Sequence, residues 1–181
     1  MEVFIATADY EKVCPSIAKI RRHFRDVCVE MWRGQGINPI VLLNNGNQRE
    51  RHIRVENLAH GEIYISTADD CLPDMPFEFV LGKHVLSRHP DVAIAAARPF
   101  NEQINAWTPE GYTPLNNEHF EEHFSVGHIS FIRNGAIKEW PEQTERGYDT
   151  TLCEYLRTQG WKVGFIKGLG MTHLGKGLSS I

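Results

Sequence analysis

Two aspartates, Asp69 and Asp70, stand side by side after the apolar run Ile63-Tyr64-Ile65 and the polar step Ser66-Thr67-Ala68. Adjacent carboxylates repel each other, so a pair at the end of a buried strand needs a positive partner. A divalent cation carrying phosphates meets that need, because Mg2+ or Mn2+ takes one or two carboxylates and fills its other positions from water and phosphate. The same residues also suit a solvated turn or a helix start, and Pro73 and Pro76 fit a chain turning away sharply. His173, in Met171-Thr172-His173-Leu174-Gly175, is a candidate metal ligand or a structural histidine. Asp149 precedes the run Thr150–Leu156, where it suits a helix cap, and Thr151 with Glu154 has capping-box spacing. A carboxylate fixed at a helix start is also placed to act as a general base.

Two other groupings carry possible chemistry. His119-Phe120-Glu121-Glu122-His123 matches H-x-x-E-H, which on a helix would put His119 and His123 on one face to bind Zn2+ beside Glu122, as in a zinc metallopeptidase. The strands expected around it do not suit that class. Among the basic residues, Arg21, Arg22 and Arg25 read as a solvated helix face. Arg49, Arg51 and Arg54 fall between the second and third expected strands, where a guanidinium fork could meet phosphates.

The elements that must position these groups alternate along the chain. Apolar runs predict strands at Val3–Thr7, Ile40–Leu43, Ile63–Ile65, Val92–Ala96, Gly127–Ile132 and Val163–Ile166. Between them, Ile17, Ile20, Phe24, Val27, Cys28 and Met31 recur at helical spacing behind Pro15, and Phe77–Leu86 and Thr150–Arg157 also read as helices. Residues 48–58 are a charged stretch with no clear period, and 101–117 reads as a long loop, a feature more often functional than idle. Strand and helix in this order predict an α/β, Rossmann-like, doubly wound and mainly parallel sheet. Ligands of such sheets bind beyond the carboxyl ends of the strands. Thr7 and Asp9, Asn44, and Asp69 with Asp70 all follow strands in this way.

Composition narrows the classes. The 181 residues, 41% hydrophobic and 23% charged, suit one domain spanning 1–181, with no Pro/Gly/Ser-rich linker between halves. A formal net charge of −4 speaks against a protein built to grip nucleic acid, which needs a basic footprint. No apolar run reaches the ~20 residues of a membrane span, and no secretory signal opens the chain. Cys14, Cys28, Cys71 and Cys153 form no C-x-x-C pair, so the expectation is reduced thiols and a cytoplasmic location.

In this order the motifs resemble the GT-A glycosyltransferases, especially the inverting group represented by family 2, over Val3 to Gly175. Gly61–Pro73 is similar to that family's strand and Asp-x-Asp motif, with Ala68 at the first aspartate and Asp70 as the metal-facing residue. His89-Pro90-Asp91-Val92 resembles the sequence before its next strand, and Ser125–Arg133 its acceptor-side strand. Gly147-Tyr148-Asp149 resembles its Glu-Asp motif, with Tyr148 in place of the glutamate, and His173-Leu174-Gly175 its late histidine. The resemblance implies a compact GT-A domain, with a nucleotide-binding half over about 1–75 and an acceptor half over about 76–181. It implies inverting transfer of a sugar from a nucleoside-diphosphate sugar, UDP-sugar favoured, to a hydroxyl acceptor. Mn2+ or Mg2+ would sit at Asp70 and His173. Asp149 would be the base. Thr7, Asp9, Asn44, Arg54 and Asp69 would border the donor nucleotide, and Trp107, Gly127 and Tyr148 the acceptor. A nucleic-acid acceptor fits the acidic charge less well. The readings from other classes are a non-catalytic nucleotide-sugar-binding relative and the zinc metallopeptidase.

Overall fold

Residues of one strand that alternate between two apolar layers place a sheet between two sets of helices. A computed structural model of the protein describes residues 1–44, 47–104, 110–142, 144–145 and 147–175. Along the chain these form β1 (Val3–Ala8), α1 (Tyr10–Val13), α2 (Pro15–Gly34), β2 (Ile40–Asn44), α3 (Gln48–Leu58), β3 (Ile63–Ala68) and β4 (Cys71–Pro73). There follow α4 (Phe79–Arg88), β5 (Val92–Pro99), β6 (Phe120–Glu122), β7 (Ser130–Arg133), α5 (Tyr148–Thr158) and β8 (Lys162–His173).

The strands lie in the order β2-β1-β3-β7-β5-β8-β4, with β6 against β8. β1 pairs parallel with β2 and β3, and β5 parallel with β8, while β7 runs antiparallel to both β3 and β5. β1, β2, β3, β5 and β8 therefore point one way, which is the expected mostly parallel α/β sheet. Val3, Ile5, Ile65 and Phe131 pack on one face against Cys28 and Trp32 of α2 and Val85 and Leu86 of α4. Phe4, Tyr64 and Ile132 pack on the other against Val55 of α3 and Leu152 and Leu156 of α5. Gly82 lets α4 approach the sheet, since a Cβ there would overlap the Phe131 ring. Arg133 ties down the end of the same helix by donating to the carbonyls of Leu86, His89 and Val92.

Several expectations are corrected. Residues 48–58 form a helix, α3, capped by Asn47, whose side chain accepts from Glu50 N at 2.9 Å. It buries only Val55, so no apolar stripe marks it in the sequence. β7 begins at Ser130 rather than Gly127, because His128 turns the chain with φ 64°. β8 is much longer than Val163–Ile166 and ends on His173, which therefore belongs to the strand rather than following it. His119–His123 is not helical: Phe120–Glu122 is a strand paired with β8. The residues of 101–117 that the structure describes contain no helix or strand. Among the described residues no helix is long and apolar enough to cross a membrane.

Candidate active site

A cavity of about 1150 Å3 opens at the carboxyl ends of β1 and β3, where the crevice of a doubly wound sheet is expected. Ala6, Ala8 and Ser66–Asp70 form its floor, the starts of α3 and α5 its sides, and Gly127, His128 and His173 border it beyond.

The acidic pair occupies the turn between β3 and β4 and is almost wholly buried, with side-chain exposures of 2% for Asp69 and 4% for Asp70. Its positive partner is Arg21 of α2. One guanidinium nitrogen pairs with Asp69 and the other with Asp70, a fork geometry that suits two carboxylates. Thr7 donates its hydroxyl to the second Asp69 oxygen at 2.6 Å, His173 Nε2 lies 3.3 Å from Asp70 Oδ2, and the Cys71 thiol lies 3.6 Å from Asp70 Oδ1. All four carboxylate oxygens thus have protein partners, and the compensation expected of a divalent cation comes from an arginine. The residues present do not fit Mn2+ or Mg2+ held by the Asp69–Asp70 carboxylates. Arg21 is also corrected from a solvated residue to a buried one. It shares α2's buried stripe with Ala18, Cys28 and Trp32, and its guanidinium lies 4.8 Å from the centre of the Tyr10 ring. Burial works against its charge, but the two carboxylates outweigh that and raise its pKa. Burial raises the Asp69 pKa despite Arg21 and Thr7. For Asp70 burial is overcome by His173 and Arg21, which hold the carboxyl well below its ordinary range. Gly175 closes over the group, since a Cβ there would overlap both the Asp70 carboxylate and Arg21.

Strand register brings a second cluster beside the first. β4 pairs antiparallel with β8 so that Cys71 stands opposite His173. Asn101 clasps the His173 backbone, donating to its carbonyl at 2.7 Å and accepting from its N–H at 3.1 Å. That contact brings Glu102 onto His173 Nδ1 and within 3.5 Å of His128 Nε2. Hydrogen bonding to Asp70 raises the His173 pKa against the effect of burial, with Glu102 adding to it. Cys71, His128 and His173 each offer a ligand atom within 4.8 Å of the others, so together they could hold a metal ion. Burial drives the Cys71 thiol pKa well up.

Asp149 lies in the first turn of α5, where the helix dipole favours a negative charge. The N-cap is Gly147 at φ 85°, so Asp149 is not the cap, and Thr151 donates to the Gly147 carbonyl instead of forming a capping box. The Asp149 side chain is 42% exposed and faces the cavity, with His52 Nε2 at 3.9 Å. Burial lowers the His52 pKa, and Asp149 opposes this. A Cβ on Gly127 would come within 2.7 Å of Asp149 Oδ2, so the glycine makes room for this carboxylate.

Of the other expected residues, Asp69, Asp70, His173, Gly127, Tyr148 and Asp149 border the cavity together. Tyr148 does so from inside the core, stacked on His52, with its hydroxyl buried and unpartnered. Thr7 lies beneath the floor on Asp69. Asp9 pairs with Lys12 at 3.0 Å, and Arg54 donates to the Leu43 carbonyl at 2.8 Å. Asn44 ends β2, and neither it, Asp9 nor Arg54 borders the cavity. Arg51, with its Nε buried and unpartnered, borders it instead. Trp107 lies outside the described residues. The H-x-x-E-H reading loses its geometry: Glu122 accepts from Tyr112 and from Leu115 N, while His119 packs on the His84 ring. Sequence reasoning missed Arg21, His52, Glu102, His128 and Cys71. Only Arg21 left a signal, its place on the stripe of Ala18, Cys28 and Trp32.

No family model matches the sequence, and no curated protein matches it. Solved structures match its fold. A197 from STIV superposes with a TM-score of 0.63 at 10% identity, over 96% of this chain and 85% of that one. GalNAc-T7, solved with UDP, GalNAc and Mn2+, gives 0.57 at 9% identity, over 96% of this chain and 44% of that one. S. aureus TarS in complex with UDP-GlcNAc gives 0.53 at 10% identity, over 100% of this chain and 61% of that one. The chain thus spans less than two thirds of the latter two proteins. The fold is GT-A-like.

Proposed function

We propose that this chain is a glycosyltransferase of the inverting kind that family 2 represents, moving a sugar from a nucleoside-diphosphate sugar, UDP-sugar favoured, to a hydroxyl acceptor. The observation that carries the reading is Asp149: an accessible carboxylate on the wall of the large cavity, fixed at a helix start and given room by Gly127. The fold supports it, being shared with proteins solved with UDP and UDP-GlcNAc. In this reading residues 1–75 border the donor and residues 76–181 the acceptor.

Asp149 takes the proton of the attacking hydroxyl as the oxygen bonds to the anomeric carbon and the bond to the diphosphate breaks, giving inversion. General-base assistance of this kind contributes about 10²- to 10⁴-fold. Arg51, on the cavity lining, meets the negative charge that grows on the departing diphosphate. Asp69 and Asp70 act through Arg21 as a fixed part of the floor, and no step passes through Mn2+ or Mg2+ held by the pair.

The test is Asp149→Asn, which keeps size while removing the basic lone pair. Nucleoside-diphosphate affinity, measured by calorimetry, should stay nearly unchanged. Transfer to an accepted hydroxyl should fall at least ~10²-fold. Full transfer in the variant would remove the base role, and lost nucleotide binding in a folded variant would assign Asp149 to the donor.

A further inference from the structure

Both imidazoles beside the acidic pair are held by one carboxylate. Glu102 takes His173 at Nδ1 and lies 3.5 Å from His128 Nε2, which leaves His173 Nε2 and His128 Nδ1 as the remaining nitrogens. His128 Nδ1 lies 3.8 Å from Cys71 Sγ. A carboxylate on one nitrogen of a histidine whose other nitrogen is free for a metal is the usual outer support of a metal site, fixing the tautomer and the ring direction. The backbone is specialised for the same purpose. His128 is the one described residue other than glycine with a positive φ, a conformation a histidine adopts at some cost and that the surrounding structure must enforce.

From this geometry we infer that Cys71 Sγ, His128 Nδ1 and His173 Nε2 form a binding site for a soft divalent ion of the zinc class, with Glu102 as its outer support. The spacing fits. Bonds of about 2.3 Å to sulfur and 2.0–2.1 Å to nitrogen place ligand atoms about 3.6 Å apart around a tetrahedral ion, close to the 3.8 Å between Cys71 and His128. The chemistry selects the ion: thiolate and imidazole suit Zn2+, whereas Mg2+ and Mn2+ suit carboxylate and water, and the carboxylates here are engaged by Arg21. The site needs no nucleotide, and the family resemblance assigns no role to Cys71, His128 or Glu102.

The experiment uses the full chain with metal alone. Competition against a chromophoric chelator should give one equivalent of tightly bound Zn2+, with Mn2+ and Mg2+ at least a thousandfold weaker. Co2+ loaded in place of Zn2+ should show a sulfur-to-cobalt charge-transfer absorption that Cys71→Ser abolishes. Because Cys71 is buried in the core and its variant can lose stability, Glu102→Gln provides the second arm. It keeps size, touches no metal, and should weaken Zn2+ about 10- to 100-fold while retaining the cobalt–sulfur absorption. Absence of Zn2+ binding, Mn2+ binding as tight as Zn2+, a cobalt spectrum without sulfur character, or unchanged affinity in Glu102→Gln would each overturn the assignment.

Discussion

Replacing Arg21 by alanine removes the one guanidinium that both buried carboxylates share, and its cost can be worked from the site. The side chains of Arg21, Asp69 and Asp70 are 7%, 2% and 4% exposed, so solvent screens the group little. Removing one partner of a buried ion pair costs about 3–5 kcal/mol, most of it the penalty for the charge left behind. Here two carboxylates remain with no cation but His173, and with only the Thr7 hydroxyl and the Cys71 thiol beside them as neutral donors, and the contact of Arg21 with the Tyr10 ring is lost as well. For a domain of this length about 2–4 °C accompanies each kcal/mol, so the melting temperature should fall by roughly 6–20 °C. Urea denaturation in the presence of chelator reads the free energy directly. Two companions separate lost charge balance from lost volume. Arg21→Met combined with Asp69→Asn and Asp70→Asn keeps the volume and removes every charge, so it should recover most of the loss. Adding Mg2+ to Arg21→Ala should restore stability, because ions that bind only the native state stabilise it by mass action, while the unaltered chain should gain nothing. A loss under about 1 kcal/mol, or a neutral triple variant no more stable than Arg21→Ala, would refute the assignment of Arg21 as the counter-ion.

Gly175→Ala should destabilise the fold by about 1–3 kcal/mol in denaturant titration, since its Cβ overlaps Asp70 and Arg21 and the closing turn must move. The pKa of His52 is lowered by burial, so the unfolded chain binds its proton first. The stability this neutral histidine provides is complete above its ordinary value near 6.5 and is lost as pH falls through the range below it. His52→Gln should flatten the pH dependence of stability there, by up to about 1.4 kcal/mol per pH unit. Arg51→Met should weaken nucleoside-diphosphate binding at least about tenfold, as expected for a charge-assisted bond, with the melting temperature little changed. Calorimetry and a thermal scan on the same sample check both halves.

Strands are legible in the sequence where they are apolar runs. The runs at Val3, Ile63 and Val92 become buried strands, as continuous apolar segments in the middle of such a sheet do; the run at Ile40 becomes β2 at the sheet edge, with Ile40, Val41 and Leu43 exposed. α3 escapes notice for the opposite reason, since it is polar all round and lies against the sheet through Val55. β4 and β6 have three residues each, too short to show a period. The site was half legible. Asp69, Asp70 and Asp149 reach the cavity, as residues following a buried strand or starting a helix should, and His173 reaches it from the end of β8. Their partners were hidden because they are set by tertiary register: Cys71 meets His173 through the β4–β8 pairing, and Glu102 meets both histidines through Asn101. Nothing in the local spacing of Glu102 or His128 encodes that meeting. Arg21 reads as solvated because the apolar spacing runs through Ile17, Ile20, Phe24 and Val27, whereas the buried stripe is Ala18, Arg21, Cys28 and Trp32 and Ile20 is exposed.

These partners form one connected row, Arg21–Asp70–His173–Glu102–His128, running from α2 to the cavity wall. Polar groups so joined at low dielectric do not contribute independently. His173 is the member on which the row turns. Its Nε2 is the nitrogen that answers Asp70, and it is also the nitrogen a zinc-class ion would take. When that nitrogen serves the ion, Asp70 relies on Arg21, whose guanidinium remains its positive partner throughout. The buried arginine and the histidine cluster are therefore compatible for a stated reason: one holds the acidic pair permanently, and so leaves the softer ligands beside it free to be selective.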